Sequence, residues 1–184
     1  MDDTLPIIQE LQSRSKRRRD KAFKRIYNEH LRDLVTIAHG LLNDLHLAED
    51  AVEDVFARIY KSPDKYKVKR NLRGYLAVCV VRRCRVVVRT RQPQSISVCE
   101  ASSKCSNAKG PGAEAIISEE SQMVSPALGQ LPYEERAVIM LRVWTGMSYK
   151  DIADALGIKI GTARSRYSRG LQSLLLILSP KINW

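Results

Sequence analysis

A chain of 184 residues with 44% hydrophobic side chains can bury one medium core or two small ones; aromatics at 6% leave Leu, Val, Ile and Ala to build them. The formal net charge of +11 and the pI of about 9.7 point to a polyanionic partner, either nucleic acid or an anionic membrane surface. No run is long and apolar enough to span a bilayer, and the acidic start MDDTLPIIQE has no signal-peptide core, so a soluble cytoplasmic protein without membrane insertion is expected.

Residues 1–19 read as a basic extension, and the run RSKRRRDK at 14–21, which crosses its end, would add general, sequence-independent affinity for DNA. Residues 20–91 read as a first helical domain. Phe23, Ile26, Tyr27, Leu31, Leu34, Ala38 and Leu41 recur at the three-and-four spacing of an amphipathic helix. Ala48, Val52, Val55, Phe56 and Ile59 repeat it, with Glu49, Asp50, Glu53 and Asp54 on the opposite, acidic face. The break SPDK at 62–65 ends that helix. In NLRGYLAVCVVRRCRVVVRTR the valines favour strand, but Leu72, Leu76, Cys79, Val80 and Val87 form a helical stripe, and helix is expected. From Lys65 to Arg91 there are ten basic residues and no acidic one, a density that asks for an anionic partner.

Residues 92–125 have the Ser, Gly and Pro content of a flexible linker, within which AEAIISEESQMV suggests a short helix. The four cysteines, Cys79, Cys84, Cys99 and Cys105, match no zinc or redox spacing and are expected as reduced thiols, with Cys99 and Cys105 the pair that a redox or metal switch would use. Residues 126–178 form a second helical domain before a tail at 179–184. Pro132 is expected at a first helical position with Glu134 and Glu135 in the first turn, where they suit the positive helix end. Gly146 stops that helix, Ser148 and Asp151 form a short capping box for the next, and Gly157 terminates it. The last helix starts near Ile160 and buries Ala163, Tyr167, Leu171, Leu174 and Leu178.

These elements read as a helix-turn-helix. With the apolar stripe inward, Thr162, Arg164, Ser165, Ser168 and Arg169 face outward, residue types that can bond base edges and phosphates in a major groove.

The run LPYEERAVIMLRVWTGMSYKDIADALGIKIGTARSRYSRGLQSL resembles region 4 of bacterial RNA polymerase sigma factors, above all the extracytoplasmic-function group of the sigma-70 family. The resemblance rests on Leu131-Pro132, Arg136, Leu141-Arg142, Gly146, Ser148-Tyr149, Asp151-Ile152-Ala153, Leu156-Gly157-Ile158, Gly161-Thr162, Ser165-Arg166 and Arg169. Upstream, AFKRIYNEHLRDLVTIAHGLLNDLHLAEDAVEDVFARIY is similar to the start of region 2, with Ala48-Glu49-Asp50 and Asp54-Val55-Phe56 in register. The match covers about four-fifths of the chain, with no region 3 between the halves.

The resemblance implies an all-α protein of two small helical domains, a region 2 bundle and a region 4 helix-turn-helix, on a flexible linker. It implies a factor that binds core polymerase and directs promoter-specific initiation. Region 4 would read the −35 duplex through Lys159, Thr162, Arg164, Ser165, Arg166, Ser168 and Arg169, with Arg164, Ser165 and Arg169 on bases and Lys159 and Arg166 on phosphates. Region 2 would hold the melted −10 strand through Lys69, Arg70, Asn71, Arg73, Arg82, Arg85 and Arg89. Glu49, Asp50, Glu53, Asp54 and Phe56 would dock on the β′ clamp helices, region 4 on the β flap, and an anti-sigma factor is a further partner common in the group. Two departures stand out: Arg82 where the family usually has Asn and Val86 where it often has Asp. Lys159 also replaces the usual Ser or Pro opening the recognition helix.

Two other readings differ in kind. A helix-turn-helix regulator that is not a polymerase subunit would need only residues 126–178 and leaves the acidic and cationic faces upstream unexplained. A nuclease would gather metal on Glu49, Asp50, Glu53 and Asp54, yet no second acidic or histidine motif completes a site. No catalytic residue, metal or cofactor is therefore expected.

Overall fold

A computed structural model describes residues 4–65, 71–91 and 119–179, and among these every regular element is helical. The elements are α1 (Thr4–Leu11), α2 (Lys16–Leu42), α3 (Leu45–Lys61), a 3-10 turn (Pro63–Lys65), α4 (Leu72–Arg91), α5 (Glu119–Gly129), α6 (Tyr133–Thr145), α7 (Tyr149–Leu156) and α8 (Ile160–Leu178). Cys99 and Cys105, the tail at 180–184 and most of the expected linker lie outside the described residues.

The 27 residues of α2 make a spine about 40 Å long. Its first half follows the expected three-and-four stripe. Its second half does not: Leu34, Val35, Thr36, Ile37, Ala38, Gly40 and Leu41 are all buried, because α3, α4, α5 and α6 close around it. Asn43 ends the helix in the left-handed region (φ 52°) and its amide donates to the His39 carbonyl. Asp44 then caps α3, accepting from the Leu47 amide at 3.1 Å, so two residues reverse the chain. α3 returns along α2, and Phe56 meets Phe23 edge-on, with ring centroids 6.0 Å apart, and Tyr27 at 4.9 Å.

The valine-rich segment is helix. Asn71 caps it, its Oδ1 accepting from the Gly74 amide at 2.8 Å. Leu72, Leu76, Ala77, Val78, Val80, Val81 and Cys84 are buried, a face wider than the predicted stripe because α4 packs on α2, α3 and α6 together. Strand propensity loses to this tertiary burial. Burial pushes the Cys84 thiol up to about 12.

The second group is tied to the first. Ser125 of α5 donates to Asn43 Oδ1 at 3.0 Å, and Ala127 and Leu128 enter the core. The expected division between residues 125 and 126 therefore falls inside a helix that rests on α2. At Gly40 a Cβ would stand 2.7 Å from Met140 Cε, so glycine there lets α6 approach α2 closely. One apolar core runs through both groups. Pro132 is the N-cap of α6 and Tyr133 its first helical residue, one position later than predicted. Gly146 and Gly157, both at φ 67°, end α6 and α7 as expected. Ser148 and Asp151 form the expected capping box of α7.

The extension is also structured. Within residues 1–19, α1 buries Ile7, Ile8 and Leu11 against α2, and Gln12 donates to the Pro63 carbonyl at 3.1 Å. The short apolar cluster of LPIIQEL is the one signal for it, in a segment read as a basic extension.

Candidate nucleic-acid interface

The α7–α8 pair has helix-turn-helix form. Ile152 and Ala153 of α7 and Ala163, Gly170 and Leu174 of α8 are buried, and Tyr149 meets Tyr167 edge-on at 5.7 Å. Gly170 fits α8 onto α6: a Cβ there would stand 2.6 Å from Ile139 Cδ1. Arg142 and Arg164 both approach the Tyr149 ring, at 5.0 and 5.8 Å, and Arg142 also donates to the Met147 carbonyl at 2.6 Å. Tyr149 thus fixes the turn and steadies Arg164. Lys159 occupies the N-cap of α8 in extended backbone with no side-chain cap bond, as an ammonium without acceptor capacity must.

Along α8, Lys159, Arg164, Ser165, Ser168 and Arg169 are exposed, and Thr162 and Arg166 are half-buried. Besides Arg164 over the Tyr149 ring, two of the seven are engaged in ion pairs. Arg166 Nη1 lies 3.2 Å from Glu134 Oε2, and Arg169 Nε lies 3.7 Å from Glu135 Oε1.

The cationic face of α4 is engaged more fully. Arg82 donates to the Ala155 carbonyl at 2.8 Å, and Arg85 Nη2 meets Glu134 Oε1 at 2.6 Å. Glu134 therefore holds an arginine of α4 on one oxygen and an arginine of α8 on the other. Beside it the Tyr133 hydroxyl donates to the Val81 carbonyl, and burial pushes that phenol up. A cleft of 210 Å³ runs along this seam, lined by Arg82, Arg85, Tyr133, Glu134 and Asp154 among others. Arg73 pairs with Asp33 at 2.8 Å, above the buried His30. Burial holds His30 below the ordinary histidine range, against the pull of Glu29 and Asp33. Arg89 is exposed and makes no ion pair among the described residues, Asn71 serves as the cap of α4, and Lys69 and Arg70 lie outside the described residues.

On α3 the acidic face is where the pattern put it: Asp50 and Glu53 are exposed, Glu49 lies 3.9 Å from His46, and Asp54 is paired with Arg83. Phe56 is a correction. It is 2% exposed and packed among Phe23 and Tyr27, so it shapes α3 from within and has no surface to offer a partner. Sequence reasoning gave Glu134 only a helix-end role. The signal for more was that residues 126–178 set four acids (Glu134, Glu135, Asp151 and Asp154) against seven basic residues, five of them arginine.

A sigma-70 region 2 family model matches residues 26–94, and a sigma-70 region 4 model matches residues 121–174. Over 152 residues the chain is 30% identical to the extracytoplasmic-function RNA polymerase sigma factor SigE of Mycolicibacterium smegmatis, covering 81% of this chain and 58% of that one. The chain thus spans somewhat more than half the length of that relative. A solved structure of CnrH with the cytosolic domain of CnrY has the same fold, with a TM-score of 0.70 and 22% identity over 98% of this chain and 100% of that one. So does the sigma factor RpoE with the anti-sigma factor NepR from Bartonella quintana, with a TM-score of 0.64 and 24% identity over 86% of this chain and 98% of that one.

Proposed function

The chain belongs to the extracytoplasmic-function group of sigma-70 factors, and from that premise we propose that it seats core RNA polymerase on a chosen class of promoters. The observation that supports this most is the pairing of two surfaces in one chain: a helix-turn-helix with exposed Arg164, Ser165 and Ser168, and a cationic α4 carrying Arg82, Arg85 and Arg89. The first suits a duplex groove. The second suits a melted strand, because guanidinium groups neutralise phosphate and stack on bases.

In this reading region 2 comprises residues 20–91 and region 4 residues 126–178. Arg164 and Ser165 read bases, and Lys159 anchors a phosphate. Asp50 and Glu53, exposed on α3, meet the cationic clamp helices of the β′ subunit, where complementary charge speeds and orients docking. Region 4 meets the β flap, and the protein works in the cytoplasm. The seam at Glu134 occupies Arg85 and Arg166, with Arg82 bonded to the Ala155 carbonyl beside it, so in this reading the two groups part when polymerase engages them. An anti-sigma protein is a further partner in this reading, supported by the structural neighbour solved with the anti-sigma factor NepR.

The deciding experiment is run-off transcription with purified core polymerase over a library of genomic fragments from the same organism. Initiation at a defined class of sites supports the reading. Fragment binding without any polymerase-dependent start would favour the helix-turn-helix regulator instead.

A further inference from the structure

The densest cationic cluster of the molecule lies far from the helix-turn-helix. Residues 14–25, RSKRRRDKAFKR, hold eight basic side chains and one acid, Asp20. That acid is already used, its Oδ1 accepting from the Tyr60 hydroxyl at 2.7 Å. Arg19 lies over the Tyr60 ring, 5.7 Å from its centroid. Arg14, Lys16, Arg17, Arg18, Lys21 and Lys24 are exposed and make no ion pair among the described residues.

The placement is unfavourable for the isolated helix. The first turn of α2 is cationic with no acid, and Ser15, at the N-cap, makes no capping bond. Helix N-termini favour anions, so cations gathered here repel both one another and the unfilled amides. A solvated face needs no such crowding. An external anion relieves both costs together.

The fold then extends the cluster. α3 ends beside the start of α2, as the Tyr60–Asp20 bond shows, and adds exposed Arg58 and Lys61. Gln12, bonded to the Pro63 carbonyl, fixes the same end of the bundle to the turn that leads toward α4. The result is a cationic shelf running from Arg14 to Lys24 and across to Lys61. Arg17, Lys21 and Lys24 fall on one helical face, about 10 Å from end to end. That span suits a few neighbouring phosphates of one strand.

We propose that this shelf is a second DNA site, one that grips the phosphodiester backbone without reading bases, at the end of region 2 away from the Glu134 seam. It rests on the promoter-binding reading only for the identity of the DNA. Duplex DNA is the favoured occupant because long arginine and lysine side chains at helical spacing follow a regular row of charges. The shelf shows no exposed aromatic or aliphatic wedge that would enter a bilayer.

The test uses the full chain, alone and with core polymerase, carrying Arg14→Gln, Arg17→Gln, Lys21→Gln and Lys24→Gln together. All four side chains are exposed, so folding should be untouched. Affinity for a labelled promoter duplex and for a scrambled duplex is measured against salt. The expected result is a log–log salt slope shallower by about 3 to 4 on both duplexes, with the preference for promoter over scramble unchanged. An unchanged slope overturns the proposal, and does so specifically if promoter preference persists. Lost binding to phosphatidylserine vesicles at constant DNA slope overturns it in favour of a membrane surface. Lost core affinity at constant DNA slope overturns it in favour of a polymerase contact. If the wild-type holoenzyme shows no promoter preference, the promoter-binding reading fails; the slope of the free chain on either duplex still decides the shelf.

Discussion

Arg85 of α4 donates to Glu134 of α6 at 2.6 Å, joining the cationic helix of region 2 to the helix that carries region 4. The other carboxylate oxygen is turned to Arg166, so one side chain binds an arginine of α4 and an arginine of α8. Replacing Glu134 with Gln keeps the shape and removes the charge. The seam is partly exposed, and the loss should cost about 1 kcal/mol of stability. If the closed form masks these arginines, that is worth about fivefold in the free chain's affinity for a −35 duplex. A titration showing no gain would mean that the seam does not compete with DNA.

Gly40 provides a second, uncharged way to pry the groups apart. A Cβ there would stand 2.7 Å from Met140 Cε and 3.4 Å from Leu128 Cδ1. Methionine can yield to Ala, but the branched side chain of Gly40→Val should overpack the contact and cost about 1–3 kcal/mol. Its effect on free-chain DNA binding should match that of Glu134→Gln in direction. Chemical denaturation and the same duplex titration check both halves.

Lys159 separates capping from binding. Its extended backbone suits a cap, and Lys159→Ser supplies the missing acceptor for about 1 kcal/mol of added stability. If Lys159 anchors a phosphate as proposed, the same change should lower the salt slope of −35 binding by about one. Higher stability with an unaltered slope would remove Lys159 from the interface.

Asp50 and Glu53 are exposed on α3 with no bond to the core. Asp50→Lys with Glu53→Lys should therefore abolish core polymerase binding at unchanged melting temperature. Phe56→Ala should behave oppositely, costing about 3–5 kcal/mol as a buried aromatic. Thermal melts beside a polymerase titration distinguish the two.

Acid should weaken the region 2 bundle through its histidines. Burial holds both His30 and His39 below their usual value of 6.5. The unfolded chain therefore takes up protons first, so their contribution is complete above about 6.5 and is lost as pH falls through that value toward the folded pKa. The slope cannot exceed about 1.4 kcal/mol per pH unit for each histidine. Denaturation at stepped pH should show this loss, and His30→Gln should flatten it.

Much of this was legible in the sequence because it is local. The capping box at Ser148 and Asp151, the glycine stops at 146 and 157 and the poor cap at Lys159 depend on neighbours within a turn. The acidic face of α3 and the inward stripe of α8 follow from helical period alone. What stayed hidden depends on packing between distant segments. The helical stripe already set Phe56 opposite the acidic face, but how fully it is enclosed depends on the approach of Phe23 and Tyr27. The full burial of Leu34 to Ala38 and the clasp at Glu134 likewise need both helical groups in place. α1 escaped notice because eight residues carry little periodic signal.

Cys84 turns this architecture into a stopwatch. Its thiol is sealed beneath α4 and held up at about 12, so alkylating reagents, which attack thiolate, find almost none while the helices stay together. In a chain keeping Cys84 as its sole cysteine, the pace of iodoacetamide labelling would count how often that interior breathes. Adding polymerase would then reveal whether capture loosens or tightens the rhythm.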